Sequence, residues 1–252
     1  MRQMLVMGNW KMNGCRSELT TLLQGVAQQV KPLSKVGVAV CPSFVYLDAI
    51  SVMCEGTSVG LGAQDVSLHE QGAYTGEISA AMLKDLGCQY VLVGHSERRS
   101  YHAESNESVA RKFVAAQTQG LTPVLCIGET LEERQAGKMQ DVVSAQVKAV
   151  IEHAGVDAFV KSVIAYEPVW AIGTGVAAEP SDVQNAHGFL RSLLNDYGSK
   201  LAQNMQILYG GSVKASNATE ILSQPDVDGG LVGGASLKVD EFVAICQAAN
   251  SE

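Results

Sequence analysis

Short, nearly continuous apolar segments alternate with longer amphipathic segments along the whole chain, about eight times with roughly 30 residues per unit. The apolar segments lie at 4–8, 36–41, 59–63, 90–93, 122–127, 162–166, 206–209 and 229–232. Runs of this kind, rich in Val, Leu, Ile and Ala, are typical of strands that are buried on both faces of a parallel sheet.

The amphipathic segments predict helices, which lie at 17–30, 79–86, 106–119, 138–153, 181–199, 218–223 and 239–249. In 106–119, Val109, Phe113 and Ala116 recur at helical spacing and are expected to face the sheet. The repeated pattern predicts a closed (β/α)8 barrel, for which about 250 residues is a typical length. An open, doubly wound sheet shares the same local pattern and is the rival. No linker-like stretch divides 1–252, so one domain is predicted.

Composition excludes several classes of protein. With 46% hydrophobic and 17% charged residues, the chain is too apolar to stay disordered, and 252 residues bury a core without disulfide staples. The net charge of -8, with no basic run, argues against a nucleic-acid partner.

Common metal-site and membrane signals are missing from the sequence. The six cysteines form no CxxC pair, so neither a zinc knuckle nor a thioredoxin-type motif is supported, and the five histidines form no HExxH motif. No apolar run approaches the roughly 20 residues of a membrane span, and the N-terminal apolar stretch is too short for a signal-peptide core. We therefore expect a cytoplasmic protein without a membrane partner.

Polar side chains follow three of the predicted strands. Asn9 and Lys11 follow the first, His95 the fourth and Glu167 the sixth. Each alone is more often a solvated or structural residue than a functional one. Because a barrel brings the carboxyl ends of its strands to one mouth, the combination of amine, imidazole and carboxylate predicts an acid–base site there.

Paired glycines follow the last two strands, as Gly210 and Gly211 before Ser212, and as Gly233 and Gly234. A turn needs about one glycine, so the pairs predict loops whose backbone N–H groups approach an anion. The loops after strands 7 and 8 are the usual phosphate site of a barrel.

Two motifs give weaker signals. A GxGxxA match at 173–178, with Asp196 about 20 residues on, suggests a nicotinamide-dependent dehydrogenase. Six residues separate the match from its strand, however, and Pro180 marks a later helix start, so we interpret it as a lid loop. The segment 94–98 resembles a GxSxG elbow without its last glycine, and Ser96 is expected to cap a short helix beside His95.

Together the motifs resemble the triosephosphate isomerase family over nearly the whole chain. They are GNWKMN at 8–13, GAYTGE at 72–77, GHSERR at 94–99, PVLCIGE at 123–129, YEPVWAIGTG at 166–175, YGGSV at 209–213 and LVGGASL at 231–237. The resemblance implies an aldose–ketose isomerase of glycolysis and gluconeogenesis that interconverts dihydroxyacetone phosphate and D-glyceraldehyde 3-phosphate through an enediolate. It implies neither metal nor cofactor.

The resemblance also assigns roles to the strand-end residues. Glu167 matches the base, His95 the electrophile, and Lys11 a cation positioned by Asn9. The matching phosphate contacts are Gly173, Ser212, Gly233 and Gly234.

The electrostatic state of these groups is also predicted. Burial is expected to raise the pKa of Glu167 toward the working pH, and a helix N-terminus is expected to keep His95 neutral. Glu97 is expected to form a salt bridge that supports the loop of Lys11.

The family's lid corresponds to Pro168, Val169, Trp170, Ala171, Ile172, Gly173, Thr174 and Gly175. The family's usual hinge after it is Lys, then Thr, Ser or Val, then Ala. This chain has Val176, Ala177 and Ala178, so only Ala178 agrees. We expect activity to survive this departure.

The resemblance further implies a homodimer. The loop after strand 3, with Tyr74, Thr75, Gly76 and Glu77, matches the segment that enters the partner subunit, where Thr75 would lie near the partner's Asn9 and the partner's Lys11. A noncatalytic barrel that binds a phosphorylated metabolite is the alternative from another class, since it needs the glycine loops but not all three catalytic side chains.

Overall fold

The computed structural model describes residues 2–172 and 178–251. Its eight strands are β1 (Met4–Asn9), β2 (Val36–Cys41), β3 (Val59–Ala63), β4 (Tyr90–Val93), β5 (Thr122–Ile127), β6 (Val163–Tyr166), β7 (Gln206–Tyr209) and β8 (Gly229–Val232). The apolar segments of the sequence predict these strands to within one residue at each end.

The strands pair in parallel and in chain order, and β1 also pairs with β8. In the closing pair, Leu5 lies opposite Gly229 and Met7 opposite Leu231. The prediction of a closed (β/α)8 barrel is therefore confirmed, and the open, doubly wound rival is wrong.

Helices connect successive strands on the outside of the barrel. They are α1 (Arg16–Val30), α2 (Phe44–Cys54), α3 (Ala80–Asp85), α4 (Ser96–Tyr101), α5 (Asn106–Thr118), α6 (Leu131–Gln135), α7 (Met139–Ala154), α8 (Pro180–Asn195), α9 (Ser199–Asn204), α10 (Ala218–Leu222) and α11 (Val239–Ser251). Short 3-10 turns lie at Val156–Lys161, Val169–Ala171 and Gly234–Leu237. In the described part of the chain, no helix combines the length and the apolar character needed to cross a membrane.

The predicted helices differ from the structure at several points. The helix predicted at 181–199 corresponds to α8, which ends earlier, at Asn195, and Gly198, whose φ of 152° lies outside the helical region, precedes a separate helix α9. Neither α9 nor the short helix α6 has a counterpart among the predicted helices. The helix α2 has no counterpart in the predicted set. Its sequence is apolar on every side, and Val45 and Val52 are exposed, so it lacks the amphipathic pattern that marks a helix packed on one face.

The core consists of two layers separated by the sheet. Alternate strand residues point inward and fill the barrel, among them Leu5, Met7, Cys126 and Leu208. The other strand residues pack against the helices in a larger outer layer. Because side chains fill the barrel interior, a ligand is expected to bind at its mouth rather than to pass through it.

One buried histidine lies in the outer layer, with its ring near those of Tyr166 and Tyr209. His187 on α8 is fully buried, and its Nδ1 lies 3.3 Å from the Asp226 carbonyl oxygen. Its Nε2 has no hydrogen-bond partner in the described ranges. Burial lowers the pKa of His187 from 6.5 to about 4, because the charged imidazolium is poorly solvated there.

The low pKa of His187 predicts that the folded protein loses stability in acid. Between pH 6.5 and 4 the unfolded chain binds a proton at His187 that the folded chain does not, so the free energy of unfolding falls as the pH falls. Relative to a His187→Gln variant, the wild type is expected to lose about 3 kcal/mol more between pH 7 and pH 4. Urea unfolding at one protein concentration measures this difference. Parallel pH dependences in the two proteins would contradict it.

Candidate active site

The strand-end residues that the sequence singled out line one cavity of about 230 Å³ at the mouth of the barrel. Asn9 ends β1, His95 lies two residues beyond β4, and Glu167 directly follows β6. Their neighbours in the lining include Lys11, Ser212, Gly233 and Gly234. The closed topology brings these residues together although they are far apart in the sequence.

Lys11 has an unusual backbone conformation. Its φ of 51° lies in the left-handed region, which costs a residue other than glycine of order 1–3 kcal/mol. The carbonyl oxygen of Lys11 accepts hydrogen bonds from Ser43 Oγ at 2.6 Å and Gln64 Nε2 at 2.9 Å. Its N–H donates to Asn9 Oδ1 at 3.0 Å. These bonds fix the loop, and the Lys11 ammonium forms a 2.7 Å ion pair with Glu97.

His95 stands at the start of helix α4. Its Nδ1 accepts a hydrogen bond from the Glu97 N–H at 3.2 Å, so His95 is the N-cap and the expectation that Ser96 caps this helix is wrong. On the other side of the ring, Nε2 lies 2.9 Å from Glu167 Oε1. The imidazole therefore links the helix N-terminus to the carboxylate across the mouth.

The Glu167 carboxylate is buried and both of its oxygens are bound. Oε1 lies against the His95 ring, and Oε2 accepts a hydrogen bond from the Ser96 N–H at 2.8 Å. Burial raises the pKa of Glu167, but the contacts with His95 and Ser96, helped by the charge of Lys11, outweigh it. The net shift of the pKa is downward. The expected rise is therefore wrong for this conformation, because hydrogen-bond donors replace the lost water.

The protonation of His95 is subject to opposing influences. Burial lowers its pKa, whereas the Glu167 and Glu97 carboxylates raise it, and the net shift is upward. The hydrogen bond from the Glu97 N–H to Nδ1 acts the other way, since it requires a lone pair on that nitrogen. The carboxylate of Glu167 is the main group that favours a charged ring. The upward shift therefore runs against the expectation that the helix N-terminus keeps His95 neutral, because that expectation left out the facing carboxylate.

One glycine of the mouth makes room for a functional side chain. A Cβ atom on Gly210 would lie 2.8 Å from Glu167 Cγ and 3.1 Å from the Tyr166 carbonyl oxygen. A Cβ atom on Gly233 would lie 3.4 Å from Lys11 Cε, which is ordinary van der Waals contact. Gly210 therefore leaves space beside Glu167, and Gly233 lies in contact range of Lys11.

The predicted lid is described only in its first part. Val169–Ala171 forms a 3-10 turn, and the Ala171 carbonyl oxygen accepts a 2.6 Å hydrogen bond from Ser212 Oγ. Gly173, Thr174 and Gly175 lie outside the described residues, as do the hinge residues Val176 and Ala177. The predicted phosphate contact at Gly173 and most of the GxGxxA match lie there too.

Glu129 is a buried residue whose part in the site the sequence reasoning missed. Its carboxylate accepts hydrogen bonds from Tyr166 Oη to both oxygens at 3.0 Å, and from Trp170 Nε1 at 3.0 Å. Tyr166 and Trp170 flank Glu167 in the sequence, so Glu129 anchors the chain on both sides of it. The residue lies just beyond β5, and the strand-end rule that found Glu167 would have found it as well.

The residues of the predicted dimer loop are exposed between β3 and α3. The ring of Tyr74 stacks on His69 with centroids 3.7 Å apart, and Gly76 has a φ of 94°. Thr75 and Glu77 belong to the same exposed turn, which the Glu77 N–H closes by donating to the Tyr74 carbonyl oxygen at 3.0 Å.

No metal-binding group of three or more His, Cys, Asp or Glu side chains occurs within residues 2–172 and 178–251. A carboxylate and an imidazole in contact, with a nearby ammonium, are suited to moving a proton at a carbon next to a carbonyl group. Fold and mouth together define a (β/α)8-barrel enzyme of the acid–base type.

Comparison with known proteins identifies the family. The family model described as triosephosphate isomerase matches residues 4–249. Curated proteins named triosephosphate isomerase are similar over full length. They include those of Hydrogenovibrio crunogenus (50% identity, 100% of both chains), Thiobacillus denitrificans (53%, 99% of both) and Pseudomonas syringae pv. tomato (52%, 100% of both). The chain belongs to the triosephosphate isomerase family.

Proposed function

We infer that this chain is an aldose–ketose isomerase that interconverts dihydroxyacetone phosphate and D-glyceraldehyde 3-phosphate, a step of glycolysis and gluconeogenesis. The family membership supports the reaction. The single structural observation that supports it best is the contact of the buried Glu167 carboxylate with His95 Nε2 at 2.9 Å, at a mouth that also carries Lys11.

Glu167 is the base in this proposal. It takes a proton from the carbon next to the substrate carbonyl, giving an enediolate, and returns a proton to the neighbouring carbon. To reach the substrate, the carboxylate must leave the Ser96 N–H and His95 Nε2. Losing these donors removes the main influences that lower the pKa of Glu167, so burial then raises it. Glu167 is therefore ionised in the substrate-free enzyme, and it becomes a stronger base when it contacts the substrate.

His95 and Lys11 stabilise the developing oxyanion. When Glu167 turns to the substrate, His95 Nε2–H is released to donate to the carbonyl and enediolate oxygens. The ring loses its main charge-favouring neighbour at the same moment, while Nδ1 still accepts from the Glu97 N–H. The imidazole is thus neutral during proton transfer, and the Lys11 ammonium supplies the fixed positive charge.

The phosphate group binds in the glycine loops after β7 and β8. Gly233, Gly234 and Ser212 line that side of the cavity, and Gly173 is the fourth proposed contact. Ser212 Oγ at present donates to the Ala171 carbonyl oxygen, so phosphate binding and the position of the first half of the lid are coupled. Exclusion of water by the lid protects the enediolate from losing phosphate.

The direct test is isomerisation of D-glyceraldehyde 3-phosphate by the purified protein, with unphosphorylated glyceraldehyde as control. Rapid turnover of the phosphate ester and very slow turnover of glyceraldehyde are expected, because phosphate binding contributes to transition-state stabilisation. Binding of glycerol 3-phosphate without turnover of either compound would instead establish the noncatalytic binding barrel. Hydride transfer with a nicotinamide nucleotide would establish the dehydrogenase alternative.

We further propose a homodimer as the working form. Large apolar side chains are exposed in segments that follow β1 to β4, namely Met12 at 94%, Val45 at 77%, Tyr74 at 44% and Tyr101 at 81%. These four strands are neighbours, so the segments lie on one flank of the mouth. Several exposed apolar side chains on one flank favour a protein interface there. In this arrangement Thr75 contacts the loop that carries the partner's Lys11.

A change at Thr75 that prevents dimerisation is expected to lower activity. Thr75→Arg places a bulky charge in the proposed interface, whereas Thr118→Arg makes the same change at the exposed end of α5. Sedimentation should show Thr75→Arg at 26.7 kDa and the control at twice that mass. We expect kcat/KM of the monomer to fall at least about tenfold, because the Lys11 loop loses support. A fully active monomer would refute the proposal.

A cytoplasmic location completes the proposal. All six cysteines are free, and Cys41, Cys88, Cys126 and Cys246 are buried. Burial raises the pKa of the Cys88 and Cys246 thiols to about 12, so they remain protonated. Free thiols are typical of a reducing compartment.

A further inference from the structure

The active-site cavity is lined by a second lysine that the proposed mechanism does not use. Lys214 lies beyond β7, in the same loop as Ser212, and its side chain is exposed at the mouth. Whereas Lys11 is paired with Glu97, Lys214 forms no ion pair within residues 2–172 and 178–251. It is therefore a cation at the mouth whose charge is not neutralised by direct contact.

The backbone around Lys214 is fixed by side chains. Asn217 Oδ1 accepts a hydrogen bond from the Lys214 N–H at 2.8 Å, and Asn217 Nδ2 donates to the Ser212 carbonyl oxygen at 3.2 Å. Next in the loop, the Ala215 N–H donates to Glu241 Oε2 at 3.1 Å. Asn217 thus links the backbone of Lys214 to the backbone of Ser212, the residue proposed to contact phosphate. This link keeps Lys214 on the phosphate side of the cavity.

The charges of the mouth explain why such a cation matters. A triose phosphate carries close to two negative charges at neutral pH, since the second pKa of a phosphate ester is about 6. The protein has a net charge of -8, Glu167 contributes a carboxylate to the cavity, and Glu97 offsets Lys11. Glu241 adds another carboxylate beside the loop. These carboxylates weaken the attraction that Lys11 and the glycine-loop N–H groups exert on the phosphate, and a further local positive charge strengthens it.

We propose that Lys214 captures phosphorylated substrate electrostatically and raises the rate of its association with the cavity. This role rests on the proposed function, because it assumes a phosphorylated substrate, but it does not depend on which residue is the base. Attraction at this range needs no direct contact, because the Debye length is about 10 Å at 0.1 M ionic strength and about 30 Å at 0.01 M. Removing the charge should then lower kcat/KM and leave kcat unchanged, since the ammonium takes no part in proton transfer.

The test compares Lys214→Met with Lys200→Met. Lys200 is exposed on α9, which precedes β7 and so lies at the opposite end of the barrel from the mouth. Both changes alter the net charge by the same amount. At about 0.01 M ionic strength, Lys214→Met is expected to lower kcat/KM for glyceraldehyde 3-phosphate about three- to tenfold, and Lys200→Met to have no comparable effect. At about 0.5 M ionic strength the difference should disappear because salt screens the charge.

A second readout keeps this proposal separate from the proposed reaction. Calorimetry with glycerol 3-phosphate measures capture of the phosphate group without turnover, and Lys214→Met should weaken it by a similar salt-dependent factor. If Lys214→Met binds glycerol 3-phosphate more weakly than the wild type, and the wild type does not isomerise triose phosphates, the role of Lys214 would be supported and the proposed reaction overturned. Equal kcat/KM and equal affinity in wild type and Lys214→Met at low salt would overturn the role of Lys214. A loss of kcat that salt does not change would also overturn it, because it would indicate a structural effect.

Discussion

Replacing Glu167 with glutamine is expected to lower kcat by at least about 10³-fold, because the amide has nearly the same shape as the carboxylate but cannot accept the substrate proton. The glutamine Oε1 can still accept from the Ser96 N–H, so the fold and the cavity should persist. Glu167→Asp is the matched variant: it keeps the base but moves it back by one methylene, and a misplacement of about 1 Å costs about 10²-fold. Steady-state kinetics of both variants measure the effects.

The control for these variants is binding of glycerol 3-phosphate, which should remain within a few-fold of the wild type because the glycine loops are untouched. A Glu167→Gln protein with kcat within tenfold of the wild type would show that another group removes the proton. Equal losses in the Asp and Gln variants would point to packing of the buried side chain rather than to its basicity.

Replacing His95 with asparagine is expected to lower kcat by about 10²–10³-fold, the range seen when one donor to a developing oxyanion is removed. Asparagine is a favourable N-cap, so it retains an acceptor for the first turn of α4 where His95 Nδ1 now accepts from the Glu97 N–H. The shorter side chain does not place a donor where Nε2–H lies. The loss should therefore be catalytic, and the thermal midpoint of unfolding should change by no more than a few degrees.

The pH dependence of kcat/KM, which reports the pKa values of the free enzyme, provides the second readout for His95. A structural role would lower kcat/KM by the same factor at every pH, whereas removing the imidazole also removes the group whose pKa the Glu167 and Glu97 carboxylates raise in the free enzyme. The acid limb of the wild-type profile should therefore change shape in His95→Asn. An unchanged kcat in this variant would exclude His95 as the electrophile.

The strands of the barrel were predictable because each is buried on both faces and reads as an uninterrupted apolar run. The helix α2 was not, since its exposed side carries Val45 and Val52 where an isolated barrel would carry polar residues. The break between α8 and α9 depends on the conformation of Gly198, and nothing in the flanking pattern marks it. Local pattern therefore identifies strands that are buried on both faces and helices that pack on one face, and it misses helices that have neither pattern.

The identities of the site residues were predictable, but their electrostatic states were not. Strand-end position and motif resemblance single out Lys11, His95 and Glu167. The downward shift in the pKa of Glu167 arises from the Ser96 N–H and the His95 ring, which a different strand end supplies. The burial of a carboxyl group is easier to predict from a sequence than the identity of the hydrogen-bond donors that contact it.

The central claim is proton transfer between two carbons through the Glu167 carboxylate, and isomerisation of dihydroxyacetone phosphate in D₂O tests it most directly. The account predicts that part of the glyceraldehyde 3-phosphate carries one carbon-bound deuterium at C2, because a proton held on a carboxyl oxygen exchanges with solvent in some turnovers before it is returned. Nuclear magnetic resonance of the trapped product measures this label. Product with hydrogen at C2 and no deuterium at that carbon would indicate direct transfer between the two carbons and would contradict the account.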